Sequence, residues 1–472
     1  MSFFLQRLLQ AILGRRPHRT KTARATETSA GPHPAAATLG SAPAPVSLPE
    51  PPKVAAAVSA LMAVGARRPL IATDGAIAGF EFRIDHEMQK RLQQDDDHQV
   101  QAAYVLALLT SAHLMVKTGR IGFARVPAEW LVHVAQLADV EGAWVGIEQS
   151  AGMNLTLAQW QTLRETVQAL RAAGAKVGWD EAAVFGVPPD FLLLHQGPAL
   201  MDVVLGSMRT WPPELKKLPV FVTDIACVED LEQALYSGIS YACGALAPPE
   251  PATEPLELLR APPEFYRVGQ LLNELASGAD TSVIVSDIKR DIGLSYRLLC
   301  RINSASFAQL NAQASIDQAV LLLGHNELYR WLSLLLIQFS GRRKVTSALQ
   351  EITLWRARLF ELLAIETHET SPGQLFTLGL ASMLGPLLKM SLVEVVSTLN
   401  LPTPARQALL EQTGPWSVYL QLALQVETKS LDGNSALVGQ FGGAERVAAL
   451  ADEAWAWAWA AEHANREGVI LE

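Results

Sequence analysis

The chain has 472 residues, 49% of them hydrophobic and 18% charged, with a formal net charge of −9. A chain of this size buries a large core and divides into two or three domains, and its acidic balance argues against a nucleic-acid-binding surface as its main business. The three cysteines, Cys227, Cys243 and Cys300, lie far apart with no CxxC spacing. They read as small buried hydrophobes in a reducing compartment, not as a disulfide framework or a zinc site. No apolar run approaches the 18 or more residues of a membrane span, so the chain is expected to be soluble and cytoplasmic.

Residues 1–16 make an amphipathic segment. Phe4, Leu5, Leu8, Leu9, Ile12 and Leu13 form its apolar side, with Arg7, Arg15 and Arg16 outside it. The basic n-region and small-residue cleavage site of a secretory signal are missing. The segment reads as a frayed terminal helix, with docking to a partner or a membrane surface as the alternative. From 17 to 52 the chain is rich in Ala, Pro, Ser, Thr and Gly. Such a stretch buries too little apolar surface to offset its ordering entropy, which makes residues 1–52 a tail and disordered linker.

Between 53 and 250, short apolar runs alternate with helical patterns. The strand candidates are 78–82, 122–126, 144–147, 176–178, 191–194, 220–223 and 240–242, separated by helical stretches at 100–118, 157–173, 198–207 and 227–237. Repeated β-then-α over about 200 residues predicts a parallel sheet closed as a TIM-type barrel, with any chemistry at the C-terminal ends of the strands. The run Asp95-Asp96-Asp97-His98 holds metal-ligating residue types, but a polar run between helices reads as a solvated turn and helix cap.

Two stretches of this region carry a resemblance. ARRPLIATDGAIAGFEFR resembles the opening hairpin and first strand of EAL domains, the cyclic di-GMP phosphodiesterases, and GISYACGALAPP resembles that family's last strand and exit. An active EAL site implies carboxylates and an Asn holding two divalent metals that generate a hydroxide nucleophile, with a Lys near the attacking water. Carried over position by position, Glu81 matches the first Glu, whereas the signature's Leu is Arg83. The metal-binding Asn falls on Arg125. The Glu-x-x-Glu falls on Gly146 and Gln149, the paired Asp on Trp179 and Asp180, and the Lys on Leu193. The later Glu falls on Thr223, and the Gln before the final Gly falls on Cys243. A shift of one residue would restore Glu148 or Asp224, but not the Lys and Asn. Glu81 and Asp180 then read as residual polar groups at strand ends. The expectation is that no phosphodiesterase site survives.

Residues 251–472 read as all-helical, entered through a Pro-rich connector at 248–263. Ile292, Tyr296, Leu299 and Ile302 recur at helical spacing, as do Ile316, Ala319, Leu322 and Leu323. Asn303-Ser304 punctuates the first of these helices, Ser315 and Gln318 offer a capping box to the next, and Gly324 breaks the chain before an apolar helix at 327–339. The order DIGLSYRLLCRINSASF, then SIDQAVLLLG, then an apolar helix resembles the HDOD domain, an all-helical relative of HD phosphohydrolases from bacterial signalling proteins. Arg290, Asp291, Leu298, Asn303, Ser304, Ala319 and Gly324 carry the match.

In that family the segment at 375–388 corresponds to the helix that would hold a His-Asp pair, and Ser382 and Met383 stand there instead. Neither suits a hard divalent cation. The helix at 354–366, where an upstream His would lie, offers Arg356 and Arg358. His325 and His368 read as capping or surface residues. Helices at 414–428 and 444–465 complete the count. On the last, Trp455, Trp457 and Trp459 spread over more than half the circumference, so it packs between two bodies or leaves an aromatic patch for a partner. Docking back on the chain itself is the reading taken.

The expected fold is therefore multidomain: a degenerate EAL-type (β/α) barrel at 53–250 followed by an all-helical HDOD domain at 251–472. The expected function is a non-catalytic bacterial signalling scaffold acting through protein–protein contacts, with homodimerisation open and no nucleic-acid partner. A non-hydrolysing cyclic di-GMP receptor is the alternative. No catalytic, cofactor-binding or metal-ligating residue and no cofactor is expected.

Overall fold

The computed structural model describes residues 66–466, except 96, 138, 150–154, 181–186, 198–200, 245–261, 304–314, 341–342, 400, 429–430 and 432–434. The readings of the N-terminal tail and of the connector at 248–263 fall largely outside the described residues. Eight strands close into a barrel in chain order: β1 (Ala66–Ala72), β2 (Ile77–Arg83), β3 (Ile121–Pro127), β4 (Trp144–Glu148), β5 (Lys176–Trp179), β6 (Phe191–His195), β7 (Val220–Ile225) and β8 (Tyr241–Gly244). The seven predicted strands all appear, displaced by no more than a residue or two at their ends.

The sheet is not wholly parallel. β1 runs antiparallel to both β2 and β8, while β2 to β8 are parallel to one another. The cause is the connection at 73–76, which is far too short for a parallel crossover and allows only an antiparallel return. Its tightness rests on Gly75, at φ +83°, whose N–H donates to the Ala72 carbonyl at 2.8 Å. No barrel helix follows β1.

The outer layer holds α1 (His86–Asp95), α2 (His98–Lys117), α3 (Ala128–Leu131), α4 (Leu157–Ala172), α5 (Met201–Ser207) and α6 (Val228–Tyr236). Asp97 caps α2, accepting from the N–H groups of Gln99 and Val100, as the polar run there predicts. Thr156 and Gln159 form a capping box on α4. One expectation is corrected: α2 is long and apolar enough, by length and composition alone, to cross a membrane. Its apolar residues face the barrel instead, where it packs on β2 and β3. Leu70, Phe123, Trp144, Phe191, Leu193, Phe221 and Cys243 fill the barrel interior.

The helical half comprises α7 (Pro263–Ala276), α8 (Thr281–Arg290), α9 (Ile292–Asn303), α10 (Ile316–Gln338), α11 (Thr346–Glu366), α12 (Pro372–Leu388) and α13 (Leu392–Thr398). After α14 (Thr403–Arg406) and a π-helical turn at Gln407–Glu411 come α15 (Ser417–Thr428), α16 (Ala436–Gln440) and α17 (Ala444–Arg466). The capping box of Ser315 and Gln318 opens α10, and Gly324, at φ 70° and ψ 174°, kinks it where the sequence predicts a break.

The helical half packs on the bare side of the barrel. α15 lies against β1, α11 against β2, and one apolar core runs without interruption through both halves. Trp455 of α17 meets Phe80 of β2 edge-on at 4.9 Å and stacks on Trp355 of α11 at 4.8 Å. Trp457 packs beside Phe376, while Trp459 is 44% exposed. The C-terminal helix therefore sits between two bodies, as its tryptophans require. Polar contacts frame the seam. Arg343 grips Glu232 through two hydrogen bonds of 2.7 Å, Arg120 pairs with Glu351 at 2.6 Å, and Arg67 pairs with Asp452. The Ala348 N–H donates to the Gly75 carbonyl at 3.0 Å, joining the β1–β2 turn to the start of α11.

Candidate functional site

Strand alternation turns Arg68 of β1, Glu81 of β2, Arg125 of β3 and Glu148 of β4 into the mouth of the barrel. Arg125 is the hub. Its Nη1 lies 2.8 Å from Glu81 Oε1 and 2.9 Å from Asp224 Oδ2, and its Nη2 lies 2.6 Å from Glu148 Oε1. Arg68 Nη1 holds the other oxygen of Asp224 at 2.8 Å and approaches Glu81 Oε2 to 3.9 Å. His195, at the end of β6, closes the ring. Its Nδ1 is 2.7 Å from Thr223 Oγ1 and 3.5 Å from Asp224 Oδ2, and its Nε2 is 3.4 Å from Glu148 Oε1.

Burial sets the electrostatics. Glu81 is fully buried, and Arg125 and Arg68 are nearly so, while Glu148, Asp224 and His195 keep a partial opening to solvent. Burial works against the charge on Arg125, but Glu148, Glu81 and Asp224 outweigh it and raise its pKa well above the ordinary value. Burial likewise opposes ionisation of Asp224. The hydrogen bond to His195 and the charges of Arg125 and Arg68 overcome it and hold this carboxyl far below the usual range. The Cys243 thiol beneath the cluster is pushed well up by burial and then by Glu81.

The sequence placed Glu81 and Arg125 correctly at strand ends, and the structure brings them into contact. Glu148 and Asp224, which only a shift of one residue brought into the site, are members, and His195 and Arg68 were missed. For Glu148 the signal was available, since the inner face of β4 runs Trp144, Gly146, Glu148. Gly146 lies one step below the mouth, against Phe123 and Leu193. Leu193 belongs to the aromatic interior, and Trp179 packs in the outer layer. Asp180, just past β5, is half-buried. Asp224 reaches the cluster only because its φ of 57° breaks the alternation of β7, at a register shift between Val222 and Ile225.

A second arginine-centred cluster lies in the helical half. Arg356 of α11 donates to Ser382 Oγ of α12 at 3.2 Å and to Glu427 Oε1 of α15 from Nη2 and Nε at 2.5 and 3.1 Å. Met383 is buried in the core, Arg358 pairs with Glu361 at 2.7 Å, and His325 and His368 are exposed. Among the described residues, no group of three or more His, Cys, Asp or Glu side chains is disposed to hold a metal ion.

Residues 260–407 match the family model of the HDOD domain. Over 179 residues, 37% of this chain and 44% of the relative, the sequence is 34% identical to YuxH of Bacillus subtilis strain 168. Over 162 residues, 34% of this chain and 37% of the relative, it is 32% identical to the cyclic di-GMP phosphodiesterase CdgJ of Vibrio cholerae. The matched stretches thus span less than half the length of either relative. Among solved structures, an EAL domain protein from Listeria monocytogenes EGD-e aligns with a TM-score of 0.30 at 12% identity, covering 42% of this chain and 92% of that one.

Proposed function

We propose that this chain, in which an EAL-type barrel is joined to an HDOD domain, is a non-catalytic scaffold of cyclic di-GMP signalling that acts through contacts with other proteins. The observation that carries the reading is the placement of Arg125. Its guanidinium lies among Glu81, Glu148 and Asp224, where a phosphodiesterase barrel of this type needs divalent cations. Two fixed cations, Arg125 and Arg68, already offset most of the charge of the three carboxylates, and a further cation beside them would be repelled. The donor set therefore does not fit a pair of divalent metals.

The helical half supports the same reading. Arg356 stands on the helix where the resemblance to HD phosphohydrolases would put an upstream metal-binding histidine, and it is bound to Ser382 and Glu427. In both halves a permanent cation supplied by the chain stands where an exchangeable one would be needed for chemistry. What remains for selection to act on is the folded surface.

The test is incubation of the purified chain with cyclic di-GMP and magnesium or manganese. No linear dinucleotide, and no thermal shift with ligand well above micromolar, is the expected result. Linear product would overturn the non-catalytic reading. Saturable binding without product would make the barrel a receptor instead of a scaffold.

A further inference from the structure

The last turn of α15 is held from both halves of the molecule. Arg83, at the end of β2 and two residues beyond Glu81, donates from Nη2 to the Thr428 carbonyl at 3.3 Å. One residue earlier, the Glu427 carboxylate takes two hydrogen bonds from Arg356, which continues to Ser382 on α12. Two neighbouring residues thus connect the arginine cluster of the barrel mouth with that of the helical core.

The helix end explains why both arginines are needed. A C-terminal turn exposes unpaired carbonyls and carries a partial negative charge. A carboxylate in that turn, as Glu427 is, adds to the repulsion. A guanidinium from each half offsets it. Arg83 stands on the same strand as Glu81, two residues along and so on the same face of β2.

We propose that the Glu427–Thr428 turn is a coupling element through which the barrel mouth and the helical-domain cluster respond to one another. A change at Arg356 loosens the turn and with it the end of β2, although Arg356 itself binds α12 and α15. This inference is independent of whether the barrel binds or hydrolyses a nucleotide.

Hydrogen exchange of the full-length chain tests it, comparing the parent with Arg356→Gln and with Val395→Ala. Val395 is fully buried on α13, a different helix from the one that ends in the turn, and its truncation controls for general loss of stability. Arg356→Gln is expected to speed exchange about tenfold or more at residues 417–428 and at 77–83, beyond any change that Val395→Ala produces at 77–83. If Arg356→Gln does not fold, Arg356→Lys, which keeps the charge but loses the planar fork, is measured in its place. Acceleration confined to the helical half, or matched at 77–83 by Val395→Ala, overturns the proposal.

Discussion

Arg125 Nη2 and Glu148 Oε1 meet at 2.6 Å, the shortest of three ion pairs that this one guanidinium makes across the barrel mouth. Glu81, its innermost partner, has no exposed surface at all, and its Oε2 makes no hydrogen bond. The cluster therefore leans heavily on one side chain. Replacing Arg125 by Met takes from buried Glu81 its one hydrogen-bonded cation and leaves Arg68 at 3.9 Å, and removing one partner of a buried pair costs about 3–5 kcal/mol. Urea unfolding of the variant is expected to show a loss of that order. Arg125→Lys should recover only part of it, because a compact ammonium does not span three carboxylates. Treatment of the parent with a chelator should leave its unfolding midpoint unchanged.

Asp224 gives the cluster a pH dependence with a definite sign. Its carboxyl is held far below the usual range in the folded chain, against about 3.9 in an unfolded one. A depressed carboxyl contributes stability that is fully present above the unfolded value and is lost as pH falls through the acid range. The unfolding midpoint should thus fall as pH drops below about 5, and the fall should be shallower in Asp224→Asn. Asn tolerates the left-handed backbone at this position, so the variant isolates the charge. An unchanged acid limb would mean that Asp224 is not what the mouth loses first.

Much of the barrel could be read from the sequence because its strands are short apolar runs set between helical patterns, from Phe191–His195 to Val220–Ile225. β1 escaped that reading because Arg67, Arg68 and Pro69 interrupt its apolar pattern; only the resemblance to an opening hairpin located it. Arg67, half-buried, and Arg68, buried, in fact lie on opposite faces, one against Asp452 of the helical half and the other against Asp224 in the mouth. Neither partner is near in sequence, so no local pattern shows them. Arg125 was legible as a residue foreign to a metal site. That it would bind three carboxylates was not, since Asp224 joins through a backbone conformation that alternation does not predict. The spread of Trp455, Trp457 and Trp459 around one helix did foretell a helix buried between two bodies.

Gly75 tests how closely those bodies fit. A Cβ at this position would lie 1.3 Å from the Lys344 carbonyl oxygen, and the backbone is already at φ +83°. An L side chain in that conformation costs about 1–2 kcal/mol by itself, and relief of the overlap also requires the turn to withdraw from the start of α11. Gly75→Ala is therefore expected to destabilise the chain by at least about 2 kcal/mol. It should also speed amide exchange of Ala348, whose N–H is held by the Gly75 carbonyl. Normal protection of Ala348 would show that the seam is looser than its contacts imply.

Trp455 and Trp459 stand on the same helix and should behave in opposite ways. Trp455 is 6% exposed, wedged between Phe80 of the barrel and Trp355 of the helical half. Truncating it opens a cavity in the core shared by both halves, for which about 3–5 kcal/mol is the usual cost. Trp459 is 44% exposed and lies over Arg120 at 5.8 Å, a contact worth about 0.5–1 kcal/mol at an open site. Trp455→Ala should lower the urea midpoint sharply, while Trp459→Ala should cost about 1 kcal/mol or less and barely move it. The shift for Trp455→Ala should be the same when followed by exchange in β2 or in α11, because both lose the same packing partner. A loss seen in α11 alone would mean that the barrel does not depend on the helix that covers its bare side.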